Sequence, residues 1–253
     1  MKRAFPLQIC LLLAICFQVS AQTKRTGKDY AVFFYVTKFK PNWLELKETR
    51  NDAIELQKEL AENFGFICDT TANPKRADIL AKLKSYNDRL GPEDQLFLFF
   101  SMHGHYDSNA DRGYLIASDG EQNDEYGTTW LSYDELGTYL ARCKAGHILL
   151  ALDACHSGAF GIRNKSRPDK PDYGEPMDCA QRMAKVFQYS GRQFCSSGNK
   201  ESKTPAKSLF ANRILEALRK GVQNDMVRFD DLEYYLGKVE NPTPETGTFR
   251  GHE

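Results

Sequence analysis

The sequence predicts a three-layer α/β/α sandwich built around a mostly parallel central sheet. Short, nearly all apolar runs at 30–36, 95–101 and 147–152 are typical of parallel strands that helices cover on both faces. Amphipathic stretches separate these runs, and strands that alternate with helices form βαβ units with right-handed crossovers. The 253 residues are 41% hydrophobic, so the chain can bury one substantial core and one domain is expected.

The first half of the chain predicts three strands with two helices between them. Asn42, after Pro41, is expected to cap a long first helix that carries Leu44 and Leu46 and ends at Gly65. The other elements expected here are strands at 30–36, 66–68 and 95–101, a turn at 70–74 and a second helix through 79–86.

The second half predicts a helix that begins at a capping box, formed by Ser132 and Glu135. Residues 161–174 are rich in Gly, Pro and charged side chains and are expected to form an exposed loop. The other elements expected here are a short strand or hairpin at 113–120, a central strand at 147–152, a strand at 192–197 and helices at 208–218 and 229–236.

Two of the apolar strands end at residues with catalytic potential. His103 follows the strand at 95–101, and Cys155 follows the strand at 147–152. A lone Cys at a strand end is more often a small buried apolar residue. Because open α/β folds gather their chemistry at the carboxyl edge of the sheet, neighbouring strands would bring these two residues face to face. An imidazole can take the proton of a thiol and later protonate a leaving amine.

The backbone around these residues offers a further element of such a site. The N–H groups at Gly104 and Cys155 are placed to stabilise a developing oxyanion, and a side chain at position 104 would crowd that approach. The sequence therefore predicts a site for nucleophilic catalysis.

These motifs resemble those of the caspase-like cysteine peptidases, in particular the metacaspase and bacterial caspase-homologue branch. Residues 101–104 (SMHG) are similar to the catalytic His–Gly of that family, and residues 153–158 (DACHSG) to its D-x-C-H-S-G motif. The resemblance implies the caspase–haemoglobinase fold over a peptidase domain at 30–253. It also implies a cysteine-type endopeptidase with His103, Cys155 and Gly104 as catalytic residues.

The resemblance bears on specificity through Asp153, two residues before the Cys. True caspases carry Gln there and cleave after Asp, whereas metacaspase-like enzymes use an acid at that position to bind Arg or Lys. A carboxylate in a desolvated pocket favours a cationic side chain. A second acid follows the next strand in that branch, usually Asp, and the resemblance assigns its role here to Glu201. Protein or peptide substrates with Arg or Lys before the scissile bond are thus implied.

Two alternatives stay open at this point. Many relatives continue past a segment like 248–251 into a last strand, so either the sheet lacks an edge strand or the sequence stops short of it. The second alternative concerns function: a catalytically silent caspase-like binding or regulatory module would keep the same fold. Retention of both His103 and Cys155 favours the enzyme.

The first residues are typical of a secretory signal peptide. Residues 1–21 combine a basic start, an interrupted apolar stretch and small residues before the expected cleavage site, and 22–29 form a short linker. The apolar run is short for a membrane anchor, and Ile15 is bulky for a lipoprotein signal at Cys16. We expect a secreted or periplasmic protein that is not attached to a membrane after cleavage. Five cysteines then remain, an odd number that leaves one thiol for a reactive role.

Composition and spacing limit the cofactors and partners. A net charge of zero provides no basic field for nucleic acid. His103-x-His105 resembles part of a zinc motif whose next His is absent, so no metal or cofactor is expected. Calcium activation stays open and unassigned, because nearby acids lack a regular ligand spacing.

We expect a monomer. Basic residues in the loop at 161–175 make it a candidate for self-processing, although ordinary solubility explains the same charges.

Overall fold

Six strands form the central sheet of the protein in a computed structural model, which describes residues 26–164, 185–199, 209–222 and 226–253. The strands in these ranges are β1 (Asp29–Tyr35), β2 (Ile67–Ala72), β3 (Gln95–Ser101), β4 (His103–Asp107), β5 (Arg112–Ile116), β6 (Leu131–Ser132), β7 (His147–Asp153), β8 (Gly191–Ser196) and β9 (Glu245–Thr248). The helices are α1 (Thr49–Phe64), α2 (Arg76–Arg89), α3 (Tyr133–Ala141), α4 (Ala159–Asn164), α5 (Leu209–Lys220) and α6 (Phe229–Leu236).

The central sheet has the strand order β2-β1-β3-β7-β8-β9. Its first five strands are parallel, and β9 runs antiparallel to β8. A second sheet of three antiparallel strands, in the order β4-β5-β6, lies beyond the carboxyl edge of β3. The predicted α/β/α sandwich with a mostly parallel sheet is confirmed.

Two hydrophobic cores fill the space between the sheet and its helices. Leu150 and Leu152 of β7 share one core with Leu83 of α2 and Leu136 of α3. Ala151, between them in sequence, lies in the other core, which the helices α1, α5 and α6 cover. Burial on both faces explains why these strands are apolar at successive positions.

The first helix begins later than the sequence predicts. Asn42 has a φ of 79°, in the left-handed region, which cannot continue a right-handed helix. The helix starts at Thr49, whose single hydroxyl hydrogen is shared between the carbonyls of Val36 (3.1 Å) and Leu46 (2.9 Å). Residues 37–48 therefore form a loop, which we call the β1–α1 loop. The prediction of a helix capped by Asn42 is wrong.

Three other boundaries differ from the sequence prediction. The strand β2 continues through 70–72 because these residues pair with β1, so the turn starts at Asn73, where φ is 49°. The strand β9 pairs with β8, so the alternative of a missing edge strand is wrong. The helix α4 extends to Asn164, where a loop was expected from residue 161. The rest of the predicted loop, 165–175, lies outside the described residues.

Other predictions are confirmed by local contacts. The Ser132 hydroxyl accepts a hydrogen bond from the Glu135 N–H at 3.1 Å, which caps α3. The Glu135 carboxylate accepts instead from the guanidinium of Arg76, at 2.6 Å.

None of the helices in the described ranges combines the length and hydropathy that a bilayer crossing requires. The predicted signal peptide at 1–21 lies outside those ranges.

Candidate active site

The register between β3 and β7 places the two predicted catalytic residues side by side. The strands are parallel neighbours, and Ser101 pairs with Asp153 at their carboxyl ends. His103 and Cys155 each follow two residues later, so both emerge at the same edge of the sheet. The Met102 N–H donates to the Asp153 carbonyl at 3.3 Å and keeps the two chains together beyond the last pair.

Gly104 lies directly against the backbone of Cys155. A Cβ atom at position 104 would be 1.9 Å from the Cys155 carbonyl oxygen and 3.3 Å from the Cβ of Ala154. Real atoms cannot approach so closely, so only glycine allows β4 to pass this close to the turn after β7. The structure thus brings together the three residues predicted to be catalytic.

The imidazole of His103 is fixed by the β1–α1 loop. Its Nε2 lies 2.7 Å from the carbonyl oxygen of Leu44. A carbonyl only accepts, so Nε2 carries the hydrogen and Nδ1 of the neutral ring keeps the lone pair. The ring stacks on Trp43, with centroids 5.2 Å apart, and contacts Phe39 at 4.5 Å. Burial lowers the pKa of His103, against the smaller opposite effect of the Leu44 carbonyl, so Nδ1 is available as a proton acceptor.

The β1–α1 loop is itself held by the segment after β5. The indole N–H of Trp43 donates to the Gly120 carbonyl at 3.1 Å, and the Gln122 amide donates to the Asn42 carbonyl at 2.8 Å. An ion pair joins Lys40 to Glu121. Sequence reasoning missed this loop, since it assigned the segment from Asn42 onward to a helix. The neighbouring Pro and Asn at 41–42, two turn-forming residues, were the signal for a loop.

The chain turns sharply after Cys155. His156 has a φ of 58°, in the left-handed region that non-glycine residues seldom adopt. A Cβ at Gly158 would lie 2.6 Å from the Cα of Asn199, so the segment after β8 packs onto this turn. The His156 ring stacks near Tyr106, with centroids 6.4 Å apart.

Asp153 places a carboxylate at the same edge of the sheet. The residue is only 5% exposed. By strand alternation it faces the same side of the sheet as Ala151, which pairs with Cys195. Burial and then the charge of Asp153 raise the pKa of the Cys195 thiol. Glu201, the second predicted acid, lies outside the described residues. The described chain that leads to it ends at Asn199.

The acidic residues near the site have local roles. The Asp119 carboxylate accepts from the Arg76 N–H at 2.9 Å and caps the start of α2. Burial alone would raise the pKa of Asp124, but hydrogen bonds from Thr129 and Thr128 lower it. His105 contacts Trp130 at a centroid distance of 4.6 Å. Within the described ranges no three His, Cys, Asp or Glu side chains are grouped so as to hold a metal ion.

Comparison with known families decides which family this site belongs to. The sequence model of the caspase domain family matches residues 28–241 of this chain. The chain belongs to the caspase domain family. This is a family of cysteine peptidases that act on protein substrates.

Solved structures share the fold of this caspase domain at low sequence identity. A protein from Geobacter sulfurreducens has a TM-score of 0.62 and 18% identity, over 90% of this chain and 97% of its own. Caspase-1 from Spodoptera frugiperda has a TM-score of 0.59 and 15% identity, over 89% of this chain and 88% of its own. No curated protein matches the sequence.

Proposed function

We propose that this caspase domain is a cysteine-type endopeptidase that cleaves proteins after Arg or Lys by means of a Cys155–His103 dyad. The observation that supports it best is the parallel register of β3 and β7, which delivers a thiol and an imidazole to one edge of the sheet. The close contact between Gly104 and the Cys155 carbonyl adds to it, because it fixes β4 against the turn that carries the thiol.

The proposed reaction follows from the tautomer of His103. Nε2–H is held by the Leu44 carbonyl, so Nδ1 accepts the proton of the Cys155 thiol as its sulfur attacks the scissile carbonyl. The same Nδ1–H then protonates the leaving amine, which leaves a thioester on Cys155. A water molecule, deprotonated by Nδ1, hydrolyses this thioester and regenerates the thiol. Backbone N–H groups of Gly104 and Cys155 stabilise the oxyanion in both steps.

Asp153 is proposed to select the basic residue before the scissile bond. A carboxylate that is 5% exposed at the active-site edge is poorly solvated and attracts a guanidinium or ammonium group of the substrate. Glu201 is proposed as the second acid of this pocket, on the resemblance to metacaspases. The segment that leads to it packs on Gly158, three residues after the proposed nucleophile.

The remaining proposals concern the setting of the enzyme. We propose that it is secreted or periplasmic after removal of residues 1–21 and that it acts as a monomer without a cofactor in the chemical step. The segment 161–175, whose first residues end α4, contains Arg163, Lys165 and Arg167 and is proposed as a site of self-processing, because an enzyme selective for basic residues would accept it.

A panel of fluorogenic peptides tests the proposed function. Peptides with Arg, Lys or Asp before the scissile bond are assayed with wild type and Cys155→Ala, with and without calcium. We expect hydrolysis of the Arg and Lys peptides, reduced by about 1,000-fold or more in Cys155→Ala. If no peptide is hydrolysed in a Cys155-dependent manner, the peptidase proposal is refuted. A preference for Asp would refute the role of Asp153.

A further inference from the structure

Trp43 is an aromatic residue of the β1–α1 loop that the proposed mechanism does not use. Its indole is half-buried, whereas the residues on both sides of it, Asn42 and Leu44, are exposed. The Leu44 side chain is 79% exposed, although it is apolar. The loop thus turns the indole, and not the neighbouring leucine, towards the active-site edge.

The indole of Trp43 lies along one face of the His103 imidazole. The ring centroids are 5.2 Å apart and the ring planes differ by 28°, so the two rings are stacked. Phe39, from the same loop, contacts the imidazole at 4.5 Å but is tilted by 45°, and it therefore presents less of its face. Trp43 is the residue of this loop that offers His103 an aromatic face in a nearly parallel orientation.

Two hydrogen bonds hold this stack in place. The indole N–H donates to the Gly120 carbonyl at 3.1 Å, which fixes Trp43 itself. The carbonyl of Leu44, the next residue, lies 2.7 Å from Nε2 of His103. Because Trp43 and Leu44 are consecutive, one short piece of backbone sets both the plane of the imidazole and the direction of its Nε2–H.

An aromatic face attracts a cation more strongly than it attracts a neutral ring. The face carries partial negative charge, indole is the most effective of the side-chain rings, and the attraction extends to about 6 Å from the ring centroid. Burial lowers the pKa of His103, because it removes water from the imidazolium, and the Leu44 carbonyl raises it. The indole covers the imidazole and at the same time places negative charge density against it, which opposes the effect of burial.

The acids around His103 have other partners or roles. Glu121, on the segment after β5, is paired with Lys40 of the β1–α1 loop. Asp153, at the end of β7, is assigned to the substrate cation. The titratable side chains on the elements around His103 are Lys40, His105, Glu121, Asp153, Cys155 and His156.

We propose that Trp43 is a positioning residue for His103, whose indole face holds the imidazole in one plane and stabilises the imidazolium that forms when Nδ1 takes the proton of Cys155. The attraction increases as the proton arrives and decreases when Nδ1 passes the proton to the leaving amine. No bond to Trp43 forms or breaks. The catalytic consequence rests on the proposed function, but the effect on the imidazole does not.

The test measures the protonation of His103 without any substrate. NMR on protein with isotope-labelled histidine follows the His103 imidazole over a range of pH in Cys155→Ala, which removes the coupled thiol. The resonance is assigned by its absence in His103→Gln. We expect the pKa of His103 to fall by about 0.5 to 1 when Trp43→Leu is added. Trp43→Phe keeps a ring face and should lower this pKa clearly less.

The two substitutions of Trp43 separate the ring face from the anchor. Both lose the hydrogen bond to Gly120, so the difference between them reports the face alone. A pKa of His103 that is unchanged or higher with Trp43→Leu, or that falls equally far with Trp43→Phe, would overturn the proposal. Trp43→Met replaces Trp43→Leu if the latter does not fold.

Gln122→Ala is the matched control for a loosened loop. The Gln122 amide donates to the Asn42 carbonyl at 2.8 Å, so its removal weakens the hold on the same loop without a change of charge or of the stack. The pKa of His103 should then equal its value in Cys155→Ala. An equal fall in this control would assign the effect to the loop and overturn the role of the indole.

The catalytic consequence is measured with Cys155 intact. Trp43→Leu should lower kcat/KM for the Arg peptide by about tenfold, the rate equivalent of one pKa unit, and Trp43→Phe should lower it less. An unchanged kcat/KM in Trp43→Leu would remove Trp43 from catalysis. A lowered pKa of His103 without peptide hydrolysis by wild type would refute the peptidase and leave the effect of Trp43 on the imidazole standing.

Discussion

Gly104→Ala should abolish most of the peptide hydrolysis that depends on Cys155. The new Cβ would lie 1.9 Å from the Cys155 carbonyl oxygen and 3.0 Å from its carbonyl carbon. Both are backbone atoms, so no side-chain rotation relieves the clash, and β4 or the Cys155 turn must move. A displacement of about 1 Å between catalytic groups costs on the order of 100-fold in rate. We expect a loss of that size in kcat/KM, together with a lower melting temperature.

Gly91→Ala is the matched control for this variant. A Cβ at Gly91 would meet only the Asp94 carboxylate, at 3.8 Å, which is ordinary van der Waals contact. Its kcat/KM should remain within about twofold of wild type. If Gly104→Ala retained wild-type activity, the close backbone contact would have no part in catalysis.

Asp153→Asn should remove the preference for Arg and Lys. The substitution keeps the shape of a side chain that is 5% exposed but removes its charge. A substrate cation would then enter a desolvated pocket without its proposed partner, which costs about 100-fold in kcat/KM for Arg and Lys peptides. Peptides with an uncharged residue before the scissile bond should lose far less. The measurement is the ratio of kcat/KM between these two classes of peptide.

Asp88→Asn controls for the loss of one negative charge. Asp88 lies on α2, its side chain is 63% exposed, and it pairs with Lys84. In this variant the ratio of kcat/KM between the Arg or Lys peptides and the uncharged peptides should equal that of wild type. An unchanged preference for Arg in Asp153→Asn would remove Asp153 from the specificity pocket.

The sequence alone was sufficient to predict the positions of His103 and Cys155. Each follows an apolar strand, and the expectation that both strands end at one edge depends only on their being parallel neighbours. The register of β3 and β7 confirms that expectation. The same buried runs predicted the layers, because a strand that is apolar at successive positions needs helices on both faces.

The partner of His103 could not be predicted from residue types. The imidazole bonds to the backbone carbonyl of Leu44, a group that any residue supplies. The apolar residues Leu44 and Leu46 also fitted a helical spacing. Long-range hydrogen bonds, such as that from the Leu46 N–H to the Thr37 carbonyl at 3.2 Å, favour a loop instead. Tertiary contacts overrode the local pattern.

The strand β9 and the position of Tyr133 could not be predicted from the sequence for a related reason. Residues 245–248 (ETGT) are only partly buried and show no apolar alternation. They form a strand because β8 offers them an open edge. Tyr133 was expected in a helix, but the place of its ring against Gly113 depends on a space that only the folded chain defines.

Covalent capture of the nucleophile tests the central proposal most directly. Wild type is treated with peptidyl acyloxymethyl ketones that carry Arg or Asp next to the reactive group, and the modified residue is mapped by mass spectrometry. The account predicts a thioether on Cys155 that forms at least about 100-fold faster with the Arg reagent and is lost in His103→Ala. Modification of another cysteine, such as the half-buried Cys68, or equal rates with both reagents, would contradict it.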